Sequence, residues 1–221
     1  MYVKILRSGG WSYHTFNTEE KRYYPTESFA WTCFMIRTQC LRDIDMEDEI
    51  IPYLSDGDYA QAFTAFANEC DAQISYGTGD YGSDGSEKHG YAVGDDRVMA
   101  YKLVKRGYKA CIVSNALYEH NDAKTSTSSQ EMVNTKPSFC MGFFHVLFWK
   151  RFILDLETGW LGKTAGRICF AYWLVSMFGY HCLKSVNKHN RSISKAFFRG
   201  VREGIRFMHT REFEDLPAVN P

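Results

Sequence analysis

The residues best suited to chemistry fall in three places. Asp95 and Asp96 are adjacent, at the head of the stretch GDDRVMAYKLVKRGYKACIVSNALYEH from Gly94 to His120. A carboxylate held beside a substrate hydroxyl can take its proton as a general base. The same pair can instead cap a helix and compensate its positive end. Asp56 and Asp58 form an Asp-x-Asp pair in Ser55-Asp56-Gly57-Asp58-Tyr59. Hard divalent cations that work on phosphates are held by one or two carboxylates and water, so this pair suits a metal on a nucleotide diphosphate. A loop facing an acceptor, or a helix cap with a solvated aspartate, are its other readings. His120 changes charge near neutral pH and can take a metal or a phosphate; a purely structural histidine is the alternative. His89 and His145 stand in weaker contexts. Asp80 and Asp84 with Gly85 resemble a calcium loop but lack its ligand spacing. No Walker loop, GxGxxG, nucleophile elbow or HExxH is present.

The elements around these residues follow from periodicity. After Asp95, Val98, Tyr101 and Val104 share one side of a helical wheel, with Met99, Ala100 and Leu103 beside them. Lys102, Lys105 and Arg106 gather toward the end, where cations are favoured. Gly107 supplies a left-handed stop. Tyr108 to Val113 reads as a strand and Ser114-Asn115 as a turn. A strand returning beside the helix would bring His120 and the two acids into one pocket.

Elsewhere the chain alternates short strands and helices. Tyr2 to Leu6 is a strand before a Gly9-Gly10 turn, and Phe29 to Arg37 is a continuous apolar run that fits a buried strand or a strand-helix junction. Thr38 to Asp45 is a short helix with Cys40, Leu41 and Ile44 inward, and Asp58 can cap a helix from Tyr59 to Cys70. Gly77 to Gly94 is a glycine- and aspartate-rich loop, and a second polar segment ends at Pro137. Phe139 to Leu156 is an aromatic helix. Trp160 to Lys184 is another, broken near Gly179. Ser192 to His209 is basic and amphipathic, with Lys195, Arg199, Arg202 and Arg206 opposite Ile193, Ala196, Phe197 and Val201. Thr210 to Pro221 is a loose tail. The fold class is therefore α/β with a helical C-terminal extension, divided as 1–136, 137–209 and 210–221.

Composition sets bounds on function. Of 221 residues, 45% are apolar and 16% aromatic, enough for a packed core. Net charge is zero, so no whole-chain field draws the protein to nucleic acid, and no recognition motif accompanies the local positive charge. The seven cysteines show no CxxC pair and read as reduced core thiols, which points to the cytoplasm. The apolar run Ile168 to Leu183 is shorter than the roughly 20 residues a bilayer crossing needs. It reads as a buried or interfacial helix. With the basic residues beyond it, this supports either packing on the body or docking on an anionic membrane surface.

The order of these motifs resembles the second half of a family 2-type, inverting glycosyltransferase of the glycosyltransferase-A fold. The matching residues are Thr32 to Arg37, Leu41 to Ile44 and Asp48-Glu49, followed by Asp95-Asp96, Gly107-Tyr108-Lys109 and His120. Thr125 and Ser126, the aromatic helices and Arg199-Gly200 with Glu203-Gly204 are similar to the family's tails. The resemblance implies a partial mixed sheet and the transfer of a sugar from a nucleotide-sugar to a glycan or lipid-linked acceptor, with inversion, as in polysaccharide biosynthesis. Asp96, or Asp95, would be the base. His120 would lie near the diphosphate and a Mg or Mn ion, with Asp56 and Asp58 as the metal pair. Two departures accompany it. The family's nucleotide-binding half has no counterpart upstream, which implies a fragment or a partner chain that supplies it. Ser55 to Tyr59 also resembles the acidic base motif, so either acidic site can fill that role. The site would lie in the cytoplasm, peripheral to the inner face of a membrane. The alternative from another class is a non-enzymatic module that docks on a membrane or partner.

Overall fold

The computed structural model describes residues 2–15, 17–28, 34–42, 95–116, 130–215 and 218–219. Asp56, Asp58, Asp80, Asp84, His89, His120, the helix expected over 59–70 and the loop expected over 77–94 lie outside them, as do the side chains of Asp95 and Asp96. Two small antiparallel sheets and a layer of long helices make up the described structure.

Strands β1 (Tyr2–Ile5) and β2 (Trp11–His14) form a hairpin with Tyr2 opposite His14 and Ile5 opposite Trp11. Its turn closes through Leu6 N–H to Gly10 O at 2.8 Å and Gly9 N–H to Leu6 O at 2.9 Å. Gly9 has φ +78°, and a Cβ there would lie 3.1 Å from Trp149 Cβ, so the position needs glycine on two counts. Strand β3 (Tyr23–Thr26) ties to β1 through Val3 N–H to Thr26 Oγ1 and Glu27 N–H to Val3 O. Helix α1 (Thr38–Arg42) follows; residues 43–45 of the helix expected there lie outside the described residues.

Helix α2 (Asp95–Lys105) includes the acidic pair in its first described turn. Its end is a Schellman motif: Tyr108 N–H reaches Leu103 O and Gly107 N–H reaches Val104 O, each at 3.0 Å, with Gly107 at φ +82°. Strand β4 (Ala110–Val113) then pairs antiparallel with β3, Thr26 opposite Ala110 and Tyr23 opposite Val113.

The amphipathic reading of α2 needs correction. Residues 98 to 103 are all buried, and Lys102 is 0% exposed instead of lying among solvated cations at the helix end. The helix is covered on two sides. Val98 and Tyr101 pack with Phe148 and Phe152, while Met99 and Leu103 pack with Ile36, Cys40 and Tyr108.

Helix α3 (Gln130–Phe148) starts earlier than expected, running through Pro137, and continues as π-helical turns over Trp149–Leu154, with Asp155 N–H bonded to Lys150 O. A proline removes one backbone bond, and the aromatic face beyond it outweighs that loss by packing on a later helix. Helix α4 (Trp160–Lys184) is continuous for 25 residues, with no break at Gly179. An interior glycine costs only about 1 kcal/mol, and His181, one turn-half beyond, is anchored by Ser194. Helix α5 (Arg191–Phe207) crosses α3 at near backbone contact. A Cβ on Gly200 would sit 2.0 Å from Phe139 O, and one on Gly142 2.4 Å from Phe197 O. Gly200 and Gly204 are thus crossing points of two helices.

The tail is only partly loose. Helix α6 (Arg211–Glu214) is capped by Thr210 Oγ1, which accepts from Phe213 N–H, and Phe213 is buried against Phe143 and Phe144. Val219 packs against the Val98–Phe152 cluster. The cysteines also differ from expectation. Cys111 and Cys182 are exposed and Cys40 and Cys169 half-buried, all as free thiols.

Candidate functional site

Two regions carry the groups of interest. The first is the head of α2. Asp95 and Asp96 are the first two described residues of this helix. Arg97 follows them and is held by aromatic faces, its guanidinium carbon 4.2 Å from the centre of Trp11 and 5.3 Å from that of Phe148. That stacking fixes the helix head against β2 and the π-helical segment. Tyr101, one turn on, packs edge-on to Phe148 at 5.5 Å. Burial first, then the carboxylates of Glu157 and Glu27, push its phenol well above the ordinary tyrosine range, so it stays protonated.

His145 lies close by and was not singled out by its sequence context. It is buried in α3, stacks on Trp173 at 3.7 Å and 3°, and hydrogen-bonds through Nε2 to Ser8 O at 2.8 Å. Since a carbonyl only accepts, Nε2 carries the proton. Burial, with the Arg97 charge adding to it, pushes its pKa down to about 3. It is a neutral imidazole that locks the β1–β2 turn to the helices. Nothing in its spacing signals this, because its partners come from distant elements.

The second region is the groove between α4 and α5, a cavity of about 750 Å³ lined by Phe178, His181 and Cys182 on one side and Lys195, Phe198 and Arg202 on the other. His181 forms its floor. Its Nδ1 is 3.0 Å from Ser194 Oγ and its ring stacks on Phe197 at 4.4 Å. Burial, then the nearby Lys184, lowers its pKa from the ordinary value. Beside the groove the fully buried Glu203 accepts from Arg202 Nε at 2.8 Å and from Arg206 at 3.2 and 3.3 Å. This carboxylate orients two otherwise exposed guanidinium groups along α5. Groups of this kind can hold an anion by charge, with apolar surface alongside.

Of the residues expected from sequence to form the site, only Asp95 and Asp96 fall on a described element. Their convergence with His120, and the metal set Asp56, Asp58 and His120, fall outside the described residues. Among the described residues no group of three or more His, Cys, Asp or Glu is arranged to hold a metal ion, and no described helix is long and apolar enough to cross a membrane. No family model, no curated protein and no solved structure matches this chain.

Proposed function

We propose that this chain forms the acceptor side of an inverting sugar transferase of the glycosyltransferase-A type, working in the cytoplasm at the inner face of a membrane. The support is the unit from Asp95 to Val113: two acids opening a helix, a Gly-Tyr-Lys stop with glycine in the left-handed region, and a strand leading toward His120. That order of elements is the one the family resemblance rests on.

In this reading Asp96, or Asp95 beside it, takes the proton of an acceptor hydroxyl. The acceptor oxygen bonds to the anomeric carbon from the face opposite the nucleotide, the bond to the diphosphate breaks, and the sugar's configuration inverts. The proton passes from the carboxylate to solvent. Arg97, clamped on Trp11, keeps the helix head from moving as the acceptor binds. Asp56, Asp58 and His120 are assigned to a Mg or Mn ion, which when bound neutralises the departing diphosphate.

The test uses membranes from cells that naturally produce the chain, so that whatever supplies the nucleotide-binding half is present, with membranes from cells lacking the chain as the control, incubated with radiolabelled uridine and thymidine diphosphate-sugars. The expected result is incorporation of one sugar into glycan or lipid, above control membranes, with inverted anomeric configuration. Retained configuration, or no incorporation from any donor, would overturn the reading. The rival, a docking module without catalysis, is favoured by one observation, the uncovered apolar face of α4.

A further inference from the structure

We infer that the outer face of α4 lies in the headgroup and upper acyl region of an anionic membrane leaflet, with lipid phosphates seated in the adjoining groove against α5. This deepens the membrane-surface part of the proposed function and does not depend on sugar transfer. A helix that is apolar all round is normally buried all round, yet α4 is covered on one side only. Gly166, Phe170 and His181 are buried inward. Outward, Ile168 is 64% exposed, Tyr172 75%, Val175 71% and Leu183 76%. With Leu161 and Phe178 they fall within an arc of about 140° and extend along a helix about 37 Å long. No charged residue lies inside that arc.

The charge around the face names the occupant. Residues 160 to 209 hold nine Lys or Arg and a single acid, Glu203, and that acid is buried between two arginines. Lys188, Arg191 and Lys195 are exposed, and Lys195 lines the groove next to Phe178 and Cys182. An uncharged face edged by cations matches a layer of acyl chains edged by phosphates. A second copy of the chain would bring the same positive edges together. Trp160, 74% exposed at the head of α4, suits the interfacial depth that indole side chains favour.

The experiment is flotation of the full chain with phosphatidylcholine vesicles, with and without phosphatidylglycerol. The chain should float with the anionic vesicles and be released as salt rises. Lys188→Gln with Lys195→Gln should weaken binding about thirtyfold. Tyr172→Ser with Val175→Ser should abolish it while leaving the circular dichroism melt unchanged, since both side chains face outward. Brominated acyl chains should quench an emission component that Trp160→Phe removes. Equal binding to neutral and anionic vesicles, or wild-type flotation of the outer-face variant, would overturn the inference. A lipid-free dimer dissolved by Tyr172→Ser would assign the face to a second copy and overturn it too. Asp96→Asn should float like the wild type, so loss of sugar transfer and loss of docking are read separately.

Discussion

Helices α2 and α4 both carry apolar residues on more than one side, and the protein treats them differently. Around α2, Cys40 of α1 with Ile36 and Tyr108 closes one side, and the end of α3 and its π-helical turns with Ile5 of β1 close the other, so that even Lys102 is removed from solvent. Around α4 the inner side meets Trp149, Trp173 stacks on His145, and on the outer side Ile168, Tyr172, Val175 and Leu183 stay exposed. Burial of a large apolar side chain is worth about 1.5–3 kcal/mol, so a helix that leaves a row of them exposed keeps that stabilisation in reserve for a partner. The difference separates a helix enclosed within the fold from a helix with one side left open.

The comparison can be broken by substitution. Phe170→Ala, on the inner face of α4, should cost about 3–5 kcal/mol and Met99→Ala, inside α2, about 2–5 kcal/mol in urea denaturation. Ile168→Ala on the outer face of α4 should cost less than about 0.5 kcal/mol without lipid. A large loss at Ile168 would mean that its face is covered within the chain, and the contrast would disappear.

Acid should act on the junction between the two helices. His145 has its pKa lowered from about 6.5 to about 3. Between those values the unfolded chain takes up a proton that the folded chain refuses, so this stability is complete above the unfolded pKa and is lost as pH falls below it. Near pH 5 the loss should be about 2 kcal/mol, and His181, lowered for the same reason, adds in the same direction. His145→Gln can still donate to Ser8 O but cannot titrate, and should flatten the fall in melting temperature between pH 7 and pH 5. An unchanged slope would show that the imidazole is not held neutral.

What the sequence made legible was local. The helical run after Asp95, its stop at Gly107 and the strand after it follow from periodicity and glycine rules that act within a few residues. The Gly9-Gly10 turn is of the same kind. The rest depends on distant contacts. Lys102 is buried because two layers close on it, and His145 is neutral because Ser8 and Trp173 reach it from far along the chain. Gly200 and Gly204 matched a family tail by spacing, whereas their physical reason, the approach of α3, exists only in three dimensions. The run from Trp160 to Lys184 shows the limit most clearly. Its apolar content was plain, but which of its sides would stay uncovered was set by where α3 and α5 lie.

The most direct measurement is the rate of sugar transfer from the active nucleotide-sugar by membranes carrying the wild-type chain or Asp96→Asn at equal abundance. Loss of the general base at the head of α2 should lower the rate by about 10²–10⁴-fold with membrane binding and melting temperature unchanged. A rate within twofold of wild type for Asp96→Asn, and again for Asp95→Asn, would contradict the assignment of catalysis to this helix.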